Sequence, residues 1–118
     1  MTDPIDETAF AQTLDLVGGD REFLAELVET YGTDGQARIA DMRSALAAGA
    51  APELQRAAHT LKGSSATLGA SHLAELCRSV EYAARDGDIG GLAERIDDIA
   101  TEFDAVVAAL TSRARGGG

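Results

Sequence analysis

The chain has 118 residues and a formal net charge of −10 at pH 7, from 20 acidic and 10 basic residues. This length supports one domain with a real core, and it is too short for a kinase catalytic domain or for a dinucleotide-binding enzyme with a substrate domain. The acidic balance argues against nucleic acid and anionic membrane surfaces as main partners, because both attract Lys and Arg.

Composition favours an all-α protein in a reducing cytosol. Alanine, the best helix former, is abundant, whereas aromatic residues make up only 4% of the chain. The single cysteine, Cys77, allows neither an internal disulfide nor a cysteine-based zinc site. No apolar run is long enough to cross a bilayer, and the N-terminus has no apolar signal segment, so we expect a cytoplasmic protein with no membrane partner.

The first half of the chain is predicted to form a short helix and then a long one. Residues 1–6 are expected to be disordered, and the short helix that follows stops at a pair of glycines. Asp20 is a good N-cap for the next helix, which we expect over about 21–48 because its apolar stripe keeps its phase across two internal glycines. Phe23 is expected to open that stripe.

The second half is predicted to form three further helices. Pro52 lies where the first residue of a helix needs no N–H, and leucines at seven-residue spacing follow it until Gly69 closes the helix. Ser71 is expected to cap the fourth helix, which ends at a turn around Gly87. The fifth helix carries the most regular apolar pattern, and the tail 113–118 is expected to be disordered.

These elements predict the architecture. Four substantial helices with short connections favour an antiparallel up-down-up-down four-helix bundle, preceded by a short additional N-terminal helix. We expect the bundle to span 7–112 as one domain and to be a monomer. The pattern shows no repeat and no second domain.

The outward face of the predicted third helix carries the residues that point to chemistry. At about 100° per residue, His59 lies opposite the leucines of this helix and therefore points to solvent. Five further residues lie within about 60° of it on the same face. They are Gln55, Arg56, Lys62, Gly63 and Ala66.

This face suits a histidine that carries a phosphoryl group. A neutral imidazole nitrogen is the nucleophile, and the nearby Arg56 and Lys62 favour the neutral ring and later offset the charge gained. Gly63 costs about 1 kcal/mol in mid-helix but removes a side chain that would crowd the ring. We find no general base, metal-ligand set or nucleotide-binding loop, so another protein is expected to supply the phosphoryl group and any Mg²⁺.

The sequence HTLKGSS at 59–65 resembles the signature of the histidine-containing phosphotransfer (HPt) domains of multistep two-component relays. LGA at 68–70, Leu73, Cys77, Glu81 and a basic residue at Arg85 continue the resemblance, which covers about 7–112. In that family, a histidine takes a phosphoryl group from the aspartate of one receiver domain and passes it to another.

The resemblance implies a role for each matching residue. His59 would be the phosphoacceptor, Lys62 would stabilise the phosphate and Gly63 would give access to the ring. Gln55, Arg56, Ala66 and Arg85 are candidate contacts to the phosphate or the receiver. The implied partners are response-regulator receiver domains and a histidine kinase, which can be a hybrid kinase. No cofactor is expected on this chain, because Mg²⁺ belongs to the receiver.

Two other functional classes remain open at this stage. The chain could be a non-catalytic interaction bundle that binds or sequesters a receiver or kinase domain. It could also be a small helical enzyme with His59 as general base, although no acid is seen to converge on that residue. We favour a phosphorelay intermediate that is not an enzyme in its own right.

Other polar residues are interpreted as structural. His72 is expected on the surface, Cys77 in the core, and Ser64 and Ser65 are expected to pack on a neighbouring helix or to bond a backbone carbonyl. The acidic residues of the last helix are interpreted as a solvated face and not as a metal site. They are Glu94, Asp97, Asp98, Glu102 and Asp104.

Overall fold

The computed structural model describes residues 3–116, which contain five α-helices and no strand. These are α1 (Glu7–Leu16), α2 (Arg21–Ala48), α3 (Ala51–Thr67), α4 (Ser71–Arg85) and α5 (Ala93–Ala114). Helices α2 and α4 each pack against both α3 and α5, while the short α1 packs against α3. The predicted four-helix bundle with an additional N-terminal helix is confirmed. Within the described residues, no helix is long and apolar enough to cross a membrane.

Local sequence signals set most helix ends. Asp20 caps α2, since its side chain accepts a hydrogen bond from the backbone N–H of Phe23 at 3.1 Å. Gly49 ends α2 in the left-handed conformation at φ 67°, which glycine adopts without strain. The prediction for Ser71 was wrong. The N-cap of α4 is the buried Ala70, whose N–H already bonds the carbonyl of Ser65 at 2.8 Å, so the chain enters α4 directly from the last turn of α3.

The ordered part of the chain extends beyond the predicted 7–112. Ile5 is only 2% exposed and belongs to the core, and Asp6 caps α1. At the other end α5 runs on to Ala114, and Arg113 forms ion pairs with Asp3 and Glu7. Residues on both sides of the predicted bundle, 7–112, therefore contact it in the structure. Met1, Thr2, Gly117 and Gly118 lie outside the described residues.

The core contains one close approach that depends on glycine. Helix α2 is continuous through its internal glycines, and a Cβ at Gly35 would overlap the ring of Phe103 on α5. Tyr31, one turn earlier on α2, lies against the same ring with 5.4 Å between ring centroids. Phe23, which is expected to open the apolar stripe of α2, is not buried. It is 46% exposed, because it lies in the first turn of α2 at the end of the bundle.

Candidate functional site

Helix α3 presents His59 to solvent, as its helical phase predicts. Leu54 and Leu61 on the opposite face of the helix are fully buried, whereas the side chain of His59 is 65% exposed. The position of the imidazole therefore follows from the leucines that orient α3 on the bundle.

A carboxylate from α4 joins the two central residues of this face. Glu81 Oε2 lies 2.8 Å from His59 Nδ1, and Glu81 Oε1 lies 2.7 Å from Lys62 Nζ. The Glu81 side chain is only 10% exposed and that of Lys62 is 23% exposed, so both are more buried than the histidine. Lys62 is thus held against α4 and does not extend freely into solvent.

These contacts determine which nitrogen of the ring can react. Burial raises the pKa of Glu81, but the hydrogen bonds and charges of Lys62 and His59 outweigh it and hold this pKa below its usual value of 4.5. The carboxylate is therefore ionised near neutral pH and can only accept hydrogen bonds. In the neutral ring, His59 Nδ1 consequently carries the proton and donates a hydrogen bond to Glu81. The lone pair is left on Nε2.

The space beside the ring is open. Apart from its two chain neighbours and the adjacent backbone of α3, no protein atom lies within 4 Å of the position that a Cβ would take at Gly63. An open depression of about 420 Å³ adjoins the ring, lined by Pro52, Gln55, Arg56, His59 and Glu81. This end of the site could accommodate a group that approaches the imidazole from a partner.

The remaining candidates lie at the edge of the site. Ala66 is exposed on α3, two turns beyond His59. Arg85 is exposed on α4, one turn beyond Glu81, and its guanidinium lies over the Tyr82 ring at 4.5 Å from the centroid. Arg85 does not line the depression beside His59.

The chain matches the family model of the Hpt domain over residues 26–109. It belongs to the Hpt domain family. It is 34% identical over 88 residues to multistep phosphorelay regulator 1 of Schizosaccharomyces pombe, a match that covers 70% of this chain and 30% of that protein. The fold is similar to the crystal structure of histidine-containing phosphotransfer protein B (HptB) from Pseudomonas aeruginosa PAO1, with a TM-score of 0.87, 27% identity, and coverage of 98% of this chain and 97% of that one.

Membership of the Hpt family confirms the interpretation of the sequence as a histidine phosphotransfer domain of a phosphorelay. Such domains carry phosphoryl groups and are not kinases. The site of this Hpt domain contains one residue whose contact with His59 was not anticipated from the sequence. The sequence points to Glu81 only through the resemblance to the HPt family, and no sequence pattern brings an acid to His59.

The helical phase of α4 places Glu81 on the buried face of that helix. Glu81 follows Cys77 by four residues and precedes Ala84 by three, and both of these neighbours are buried. A carboxylate on the buried face of a helix needs a partner, because burying an unpaired charge is costly. The partners could not be read from the phase, since they depend on how α3 and α4 align.

None of the residues interpreted as structural lines the depression beside His59. Ser64 donates to the carbonyl of Leu61 at 3.2 Å, and Ser65 is buried against Tyr31 of α2 with 2.8 Å between the hydroxyl oxygens. Burial raises the pKa of the fully buried Cys77 thiol to about 12, so this thiol stays protonated and unreactive. His72 is exposed, and no group of acidic, His or Cys side chains in residues 3–116 has the arrangement of a metal site.

Proposed function

We propose that this Hpt domain accepts a phosphoryl group on Nε2 of His59 from the aspartyl phosphate of one receiver domain and passes it to the aspartate of another. The supporting observation is the contact at 2.8 Å between His59 Nδ1 and Glu81, which leaves the lone pair on the other nitrogen of a ring that is 65% exposed. In the forward step the P–Nε2 bond forms and the P–O bond to the receiver carboxylate breaks. The reverse of this step loads the next receiver.

Lys62 and Gly63 have supporting roles in the proposal. The ammonium of Lys62, one turn from His59, offsets the negative charge that arrives with the phosphoryl group. Gly63 leaves the approach to the ring unobstructed. Gln55 and Arg56, which line the depression, and the more distant Ala66 and Arg85 are proposed contacts to the receiver.

The proposed partners are response-regulator receiver domains and a histidine kinase or hybrid kinase. The receiver would dock on α3, α4 and the adjacent part of α2, and it would bring the Mg²⁺ that stabilises the transferring phosphoryl group. The chain would then act as a monomeric cytoplasmic carrier that supplies a nucleophile, a compensating charge and a complementary surface, without enzymatic activity of its own.

Transfer of radiolabelled phosphate from a phosphorylated receiver tests this proposal. We expect an acid-labile, base-stable adduct on the wild-type chain and none on His59→Gln. His72→Gln is the matched control, because His72 is the second histidine of the chain and is also exposed; it should be labelled like the wild type. Label retained in His59→Gln would contradict the assignment, and receiver binding without transfer to the wild type would favour the sequestering module.

A further inference from the structure

Glu81 contacts the ring nitrogen that does not react. We propose, on the basis of the proposed function, that Glu81 retains the proton on His59 Nδ1 after Nε2 is phosphorylated, so that the carrier holds its phosphoryl group as a protonated phosphoimidazolium. This would make Glu81 a positioning residue for the second half of the relay, the release of the phosphoryl group, as well as for its capture.

The transfer step requires no proton to leave the ring. The Nε2 lone pair of neutral His59 attacks phosphorus, the P–O bond of the receiver's acyl phosphate breaks, and its electron pair leaves with the aspartate carboxylate. The ring gains one positive charge and keeps its Nδ1 proton. That proton faces Glu81 Oε2, which lies 2.8 Å from Nδ1. No general base is needed, in agreement with a site whose one carboxylate in contact with the ring is already ionised.

The protonation of the phosphorylated ring determines how readily it gives up its phosphoryl group. A protonated ring leaves phosphorus as neutral imidazole, whereas an unprotonated ring would have to leave as an imidazolide anion. Because the first is the better leaving group, Glu81 keeps the P–N bond ready for transfer to the next carboxylate. The contact that leaves the Nε2 lone pair available therefore also makes the ring a better leaving group.

The charges around the ring act in opposite directions. On α4, Glu81 favours the protonated ring, and its low exposure limits screening by solvent. On α3, Lys62 and Arg56 oppose protonation, although Lys62 is engaged with Glu81 at 2.7 Å. Cys77 on α4 and Tyr31 on α2 are both neutral, since burial raises the pKa of each to about 12. Glu81 is the group in direct contact with the ring, so its effect is expected to dominate.

The test is a ¹⁵N NMR titration of the His59 ring in the phosphorylated protein, loaded with the small-molecule donor phosphoramidate. We expect Glu81→Gln to lower the pH at which Nδ1 loses its proton by about one unit or more. Lys62→Met should raise this midpoint. A purely structural role of Glu81 predicts no such pair of opposite shifts, and the ring of His72 provides an internal reference.

Transfer to a receiver provides the second readout. Above the midpoint of the variant, phosphorylated Glu81→Gln should release its phosphoryl group several-fold more slowly than the wild type. The difference should disappear at lower pH, where both rings are protonated. Glu81→Asp, which keeps the charge, should restore part of the wild-type rate.

The outcomes separate this inference from the proposed function. Equal titration midpoints in wild type and Glu81→Gln, with His59 phosphorylated in both, would overturn the role of Glu81 and leave the relay function standing. Failure of the wild-type His59 to accept any phosphoryl group would overturn the proposed function itself. If Glu81→Gln does not fold, an unshifted midpoint in Lys62→Met would overturn the electrostatic argument.

Discussion

Two of the polar contacts that helix α3 makes with its neighbours are of opposite kind. Towards the interior, the hydroxyl groups of Ser65 and Tyr31 meet at 2.8 Å, neutral and buried, and connect α3 to α2. Towards solvent, His59 meets the ionised Glu81, also at 2.8 Å, and connects α3 to α4. One hydrogen bond suffices to bury a hydroxyl pair, whereas the pair that contains the ionised Glu81 lies at the surface, where His59 stays accessible. The first contact joins two helices in the interior, and the second leaves the Nε2 lone pair of an exposed ring available.

Each of these regions also contains a glycine in the middle of a helix. At Gly35 a side chain would overlap the ring of Phe103, so the packing of this chain explains the glycine. At Gly63 a Cβ would meet nothing within 4 Å outside the adjacent backbone of its own helix. The two glycines carry the same helix-propensity cost of about 1 kcal/mol, but the chain itself accounts for only one of them. For the other, we propose that the explanation lies in the partner that approaches His59 from outside.

The largest expected effect on stability comes from replacing the interior glycine, Gly35. Gly35→Ala forces the ring of Phe103 to move and should lower the free energy of unfolding by about 1–3 kcal/mol. Urea denaturation followed by circular dichroism measures this change. The transfer rate of the folded protein should be unchanged, because Gly35 packs against Phe103 of α5 and does not line the depression beside His59. Wild-type stability of the variant would show that the core accommodates the methyl group.

The interior hydroxyl pair should have a smaller effect with a distinct pH dependence. Tyr31→Phe should cost about 1 kcal/mol, since it leaves the buried Ser65 hydroxyl without its partner. Burial, opposed by the hydrogen bond from Ser65, raises the pKa of Tyr31 from 10.0 to about 12. The unfolded chain ionises first, so the wild type should lose stability between about pH 10 and pH 12. This loss should be smaller in Tyr31→Phe, and identical alkaline unfolding curves would contradict the assignment.

The smallest expected change in stability comes from replacing Gly63 at the site, and this change is stabilising. Gly63→Ala should raise the free energy of unfolding by up to about 1 kcal/mol, because a good helix former replaces glycine in open space. It should nevertheless slow phosphotransfer. Gly32→Ala is the matched control, since its methyl group would meet Val107 at an ordinary 3.9 Å and should stabilise α2 without affecting transfer. Equal transfer rates in both variants would remove the access role of Gly63.

Features set by residues close together in the chain could be predicted from the sequence, whereas contacts between helices could not. The limits of α2 were predicted correctly because Asp20 and Gly49 act within their own turns. The outward phase of His59 followed from the leucines of the same helix. The attachment of Lys62 to Glu81 could not be predicted, because it depends on the alignment of α3 with α4. Ser71 failed as a cap for a related reason, since the tight turn after α3 places Ala70 at that position.

The ion pairs of Arg113 have a consequence for how this domain can be attached to others. They bring the end of α5 to the start of α1, and α1 is in turn fastened to the end of α3, where Thr13 bonds the carbonyl of Thr67. Both described ends of the chain thus leave from one pole of the bundle. His59 lies eight residues before Thr67, about 12 Å along the axis of α3. A fluorescent label or a tether attached near residue 3 or near residue 116 would therefore leave from the same pole, and His59 lies about halfway along α3 from that pole.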